Sequence, residues 1–227
     1  MSNILVVAAH PDDELLGVGG TICRHVNNGD VADCLILGEG MTSRAEKRED
    51  WDKNTLSELK SQTLKAAEIL GFRNVYFSDF PDNRFDSVDL LDIIKEVDKY
   101  IQRLKPQIIY THHYGDLNID HRRTFEAVIT ASRPVGEYPV KEIYCFETPS
   151  STEWNFKYGG NVFKPNVFIG IDDTIDAKLK AMECYKSEIR DYPHPRSIKA
   201  LEIIAARWGT VVGKKYAEAF ELIRKVV

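Results

Sequence analysis

Residues 4–8 read ILVVA, an apolar run with no polar position inside it. A strand with one wet face alternates polar and apolar side chains. An unbroken run suits a strand covered on both faces, as at the centre of a parallel sheet. Parallel neighbours cannot be joined by tight turns, so each pair needs a crossover, commonly a helix. The rest of the chain supplies both parts. Strand candidates recur at 31–37, 74–77, 107–110, 142–146 and 166–169. Between them Leu56, Leu59, Thr63, Ala66, Ala67 and Leu70 keep a helical period that stops at Gly71. Leu90, Leu91, Ile94, Val97, Ile101 and Leu104 keep another, with Ser87 as its expected N-cap and Pro106 as its terminator. A further helix is expected over 120–132. In the last third the pattern predicts three more, one through Ile175, Leu179, Met182, Tyr185 and Ile189, one through Ile198, Leu201, Ile204 and Trp208, and a last one through Tyr216, Phe220 and Ile223. Loops are expected over 134–164. The alternation predicts a single-domain α/β fold over residues 1–227, Rossmann-like, with a mostly parallel sheet and helices on both faces.

A chain of 227 residues can bury a core of that kind. Its net charge of -5 points away from nucleic acid and from anionic membrane surfaces. No stretch approaches the roughly 20 apolar residues of a membrane span, and the apolar start is too short for a secretory leader. Cys23, Cys34, Cys145 and Cys184 form no close pair, so reduced thiols and a cytoplasmic setting are expected.

The chemistry concentrates where the first strand ends, in Ala9-His10-Pro11-Asp12-Asp13-Glu14. In an open α/β sheet, ligands bind beyond the carboxyl ends of the strands. Imidazole and carboxylate are good ligands for a divalent metal, and a catalytic zinc takes three protein ligands plus water. Of two adjacent carboxylates, one can bind the ion while the other stands off as a base. The same residues would also serve a plain strand-to-helix turn with an Asp cap. A second segment, 111–121, carries His112, His113 and His121 after the fourth strand candidate. In a 3-2-1-4-5 strand order both segments reach one crevice, which favours the metal reading.

Together AHPDDE at 9–14 and NIDHR at 118–122 resemble the PIG-L or LmbE-like deacetylases, as do HPRS at 194–197 and YAEAFELIR at 216–224. The resemblance spans nearly the whole chain. It implies a zinc-dependent enzyme that removes the acetyl group from N-acetylated amino sugars. His10, Asp13 and His121 are its implied metal ligands, Asp12 its general base, and Asp120 a residue that orients the site. Many relatives carry a histidine where this chain has Asn118. The task of stabilising the oxyanion then falls to His112, His113 or His194, or to the Asn118 amide.

Other positions are candidates for holding substrate. Asp82 and Arg84 follow the third strand, and Arg44 follows the second. A sugar hydroxyl suits the former carboxylate, and a phosphate or carboxylate suits a guanidinium; a solvated turn is the plain alternative. His194 sits between two prolines and is a candidate for the site or for a contact between subunits of a homo-oligomer. His25 falls within a helical pattern and reads as structural. Gly17, Gly19 and Gly20 lack dinucleotide-loop spacing and read as close helix packing. Two further functional readings stay open: a zinc amidohydrolase acting on a non-sugar amide, and a Rossmann-like binding protein without catalysis. Other divalent transition metals suit the same donors.

Overall fold

The computed structural model describes residues 1–44, 53–135, 140–156 and 160–227. Its strands are Asn3–Ala8 (β1), Val31–Gly38 (β2), Asn74–Phe80 (β3), Ile108–His112 (β4), Glu142–Phe146 (β5), Val167–Gly170 (β6) and Ala217–Lys225 (β7). They form one seven-stranded sheet in the order β3-β2-β1-β4-β5-β7-β6. Strands β1 to β5 run parallel; β7 is antiparallel to both of its neighbours. The helices are Asp13–Asn27 (α1), Lys53–Leu70 (α2), Leu90–Leu104 (α3), Ile119–Ala131 (α4), Ile175–Met182 (α5) and Ile198–Val212 (α6).

The unbroken apolar run is explained by its position. Ile4, Val6 and Ala8 of β1 pack with Leu15, Val18 and Ile22 of α1 and Leu70 of α2. Leu5, Val7 and Ala9 pack on the opposite face with Ile93 and Val97 of α3 and with Ala127 and Val128 of α4. Both faces of β1 are therefore core. Helix α1 lies hard against the sheet, and a Cβ on Gly17 would come within 2.1 Å of the Phe146 ring. Gly17 and Gly20 of α1 thus serve packing.

Three expectations are corrected. The last segment is strand β7, not a helix. Its period of two is masked because glutamates occupy buried positions. Glu218 shares a face with Phe220 and Leu222, and accepts hydrogen bonds from the Gly20 and Thr21 amides and from Lys178. Glu221 is met by His113 and by the Lys164 amide. Pairing with β5 and β6 overrides the helix propensity of AEAFELIRK. Helix α5 stops at Met182, because Tyr185 turns inward to give its hydroxyl to Glu14. Helix α3 begins after Asp89, and Ser87 closes a short 3-10 turn before it.

Candidate active site

Strands β1 and β4 are hydrogen-bonded neighbours, so the segments that follow them open into the same crevice. His10 leaves β1, Asp13 opens α1, and His121 lies in the first turn of α4. At a helix N-terminus the backbone amides favour a carboxylate such as Asp13. The ligand atoms of His10, Asp13 and His121 all lie within 4.8 Å of one another. His10 Nδ1 is 3.4 Å from Asp13 Oδ2, and His121 Nε2 is 3.3 Å from the same oxygen. Metal–ligand bonds of about 2.0–2.2 Å in a tetrahedron separate neighbouring donors by roughly 3.4 Å.

The far nitrogens of both imidazoles meet carboxylates. His10 Nε2 is 2.9 Å from Asp120 Oδ2 and 3.3 Å from Asp82 Oδ1. His121 Nδ1 is 3.1 Å from Asp116 Oδ1, near enough for an ion pair though out of line for a strict hydrogen bond. A carboxylate behind each ligating histidine fixes its tautomer and raises its basicity. These carboxylates are themselves held. Asp120 accepts the Asn83 and Phe85 amides at 2.6 and 2.9 Å. Asp116 accepts the Ser151 and Thr152 hydroxyls and the Asn118 amide.

Charge balance supports the same reading. Burial alone would raise Asp13, but the charge of His121 and the hydrogen bonds of His10 and His121 draw its carboxyl well below the usual range. Burial alone would lower His121, yet Asp13 and Asp116 push it up to about 9. His10 is likewise raised against its burial, by Asp120 and Asp13. These pairings favour the protonated imidazole at His10 and at His121. Around the cavity Asp12, Asp13, Asp82 and Glu188 face one guanidinium, Arg196, among the described residues. Donor types, spacing and excess negative charge all fit a divalent cation.

Asp12 lines the same cavity and is 2 % exposed. Its backbone is left-handed, with φ of 96°, a conformation that a non-glycine residue adopts only under constraint. Burial raises its carboxyl well above the usual range; Arg196 opposes this, and Asp13, Glu188 and Glu14 add to it. Arg196 Nη1 is 3.0 Å from Asp12 Oδ2 and 2.9 Å from Glu188 Oε2, while its Nε donates to Ser150 at 2.7 Å. Glu14, behind Asp12, is raised by burial to about 7 and accepts the Tyr185 hydroxyl.

The remaining sequence candidates separate. Asp82 and Asn118 line the cavity. Both are already engaged: Asp82 takes the Ser43 amide, and Asn118 caps α4 through the Asp120 amide while donating to Asn83. His112 backs Asp13 at 3.5 Å and stacks on His121, with ring centroids 4.0 Å apart. The Ala9 amide donates to its Nε2, and burial lowers it to about 3, so it stands neutral. His113 is turned away from the cavity, bound to Glu221 at 2.6 Å and to the Asn161 carbonyl. Arg84 is exposed and does not line the cavity. His194 also stands outside its lining and accepts the Arg196 amide. Arg44 ends a 3-10 turn, and its side chain lies outside the described residues. Sequence reasoning missed Arg196, Asp116, Glu188 and Ser151. The HPRS segment was the available signal for Arg196; the others sit in no motif.

An open α/β sheet with a two-histidine, one-carboxylate corner at its strand ends defines a Rossmann-like α/β protein with a candidate metal corner. The family model of PIG-L, GlcNAc-PI de-N-acetylase, matches residues 5–132, and the chain belongs to that family. It is 26% identical to the diacetylchitobiose deacetylase of Thermococcus kodakarensis, over 98% of this chain and 84% of that protein. It is 30% identical to the 4-oxalmesaconate hydratase of Pseudomonas putida, over 79% of this chain and 71% of that one. The crystal structure of a conserved protein from Thermus thermophilus superposes with a TM-score of 0.78 at 25% identity, covering 100% of this chain and 97% of the other.

Proposed function

We propose that this chain is a metal-dependent N-deacetylase, hydrolysing the N-acetyl group of an amino sugar or amino-sugar conjugate to acetate and a free amine. The observation that carries the reading is the convergence of His10 Nδ1, Asp13 Oδ2 and His121 Nε2 beside a separate buried carboxylate, Asp12. Kinship with deacetylases of amino-sugar conjugates supports the same choice of bond. A divalent cation on those three residues, zinc foremost, supplies Lewis acidity and lowers the pKa of water to about 7.

The chain's own groups do the rest. Asp12 takes the proton of the attacking water and returns it to the departing nitrogen, which is otherwise a poor leaving group. Arg196 holds the Asp12 carboxylate in place by a direct hydrogen bond. Asp120 and Asp116 hold His10 and His121 from behind. The cavity of about 120 Å³ suits an acetamido group and the near edge of a ring.

A second reading has its own observation, the 30% identity to a hydratase whose named substrate is a carboxylate. The guanidinium that lines the cavity, Arg196, is already paired with Asp12 and Glu188, which counts against an anionic substrate. The deciding assay is acetate release from a panel of N-acetylated free and nucleotide-linked sugars, with and without a chelator. Release that the chelator stops supports the deacetylase. No release from any member, with hydration of an unsaturated carboxylate instead, overturns it.

A further inference from the structure

A cavity of about 380 Å³ lies across the Ser150–Glu153 turn from the metal corner. Ser150 and Ser151 face the metal cavity; Thr152 and Glu153 face this one. Its size is that of a small-ligand site. Its wall combines flat apolar rings with acceptors. Trp208 and Phe163 stand edge to face, 6.4 Å apart, and Trp208 is braced by Phe168 at 5.8 Å. Glu147 accepts the Trp208 indole N–H, which fixes the orientation of the indole. Burial raises the Glu147 carboxyl. Glu153, Asn155 and Asn161 complete the polar rim, and Arg207 lies over the Trp208 ring at 4.0 Å. Ile204, Arg207 and Trp208 share one face of α6, at helical spacing. From this cavity a narrower cleft, also bordered by Glu147 and Trp208, runs inward to the buried Lys178–Glu218 pair. The deacetylation chemistry uses none of these residues.

We infer that this second cavity binds an amino-sugar ring, seated in the corner between Trp208 and Phe163, with its hydroxyl and N–H hydrogens on Glu147 and Glu153. The choice of an amino sugar rests on the deacetylase reading; the presence of a ring-binding site does not. Carboxylates accept hydroxyl and N–H donors, and aromatic rings pack against the apolar face of a sugar. The metal cavity, at about 120 Å³, leaves the remainder of a conjugate outside it. The ring is either a further unit of the substrate or a separate amino sugar.

The test uses the Asp12→Asn protein, in which turnover should fall by about 10²–10⁴-fold and whose fold is checked by circular dichroism. It is titrated calorimetrically with D-glucosamine, D-glucose and N,N'-diacetylchitobiose. Glucosamine should bind more tightly than glucose. Adding Glu147→Gln should remove that preference, and adding Trp208→Ala should weaken glucosamine by about tenfold or more. Trp208→Phe, which keeps an aromatic face, separates loss of binding from loss of fold. Weakened diacetylchitobiose binding in the Trp208→Ala protein assigns the ring to the substrate. Weakened glucosamine binding with diacetylchitobiose unaffected assigns a separate amino sugar. The inference is overturned if glucosamine does not bind at millimolar concentration, or binds equally well in all variants. Acetate release is measured on the unmutated enzyme, so failure of the deacetylase reading is seen independently.

Discussion

Asp116→Asn tests whether the metal corner is built from its surroundings as well as from its ligands. Asp116 Oδ1 lies 3.1 Å from His121 Nδ1, opposite the nitrogen that faces Asp13. Burial alone would raise the Asp116 carboxyl, but His121 and the hydroxyls of Ser151 and Thr152 hold it well below the usual range. These contacts favour its anionic form. At an effective dielectric of about 20, charges at that separation interact by about 5 kcal/mol, a ceiling before desolvation is subtracted. Outer carboxylates behind metal-binding histidines typically contribute 10–100-fold in affinity, or about 1.4–2.7 kcal/mol. Asparagine keeps the shape and removes the charge. Metal affinity, measured by competition with a chromophoric chelator, should fall by about 10–100-fold, and activity should return when metal is added in excess. Affinity within twofold of the parent, in a folded variant, would refute the argument. Activity lost at saturating metal would instead place Asp116 in contact with substrate.

Four further outcomes follow from the structure. Asp12→Asn should retain metal and lose about 10²–10⁴-fold in turnover, read by metal analysis beside acetate release; wild-type rates would remove Asp12 from the mechanism. Metal binding near neutral pH should release at least one proton, because His121 is raised to about 9 in the metal-free corner. Calorimetry in buffers of different ionisation enthalpy counts that proton. The linked stability has a definite sign. A folded pKa above the ordinary 6.5 stabilises the metal-free protein below pH 6.5 and is lost as pH rises through about 9. The melting temperature of chelator-treated protein should fall across that window. Lys178→Met leaves Glu218 buried opposite an uncharged side chain and should cost about 3–5 kcal/mol, a drop of roughly 6–20 °C in Tm; a drop under about 2 °C would show the pair to be solvated.

The core of the fold was legible for a simple reason. Residues 4–8 are apolar throughout because both faces of β1 are covered, and burial on two sides leaves a direct mark on a sequence. Strand β7 left no such mark. Glu218 and Glu221 interrupt its apolar alternation, and their partners, the α1 amides, Lys178, His113 and the Lys164 amide, lie far away in the chain. The helix limit at Met182 was hidden for the same reason, since the group that turns Tyr185 inward is Glu14.

The candidate site divides along the same line. His10, Asp12 and Asp13 are contiguous, and Asp120 and His121 adjoin, so short-range chemistry exposes them in the chain itself. Arg196 reaches Asp12 across 184 positions, and Ser151 reaches Asp116 across 35. Amino-acid order alone determined a central two-sided strand that ends in a metal-capable His-Pro-Asp-Asp turn. Tertiary structure decided which carboxylates stand behind the imidazoles, which guanidinium holds Asp12, and that His113 points elsewhere. Those outcomes depend on distances between segments that only the closed sheet brings together.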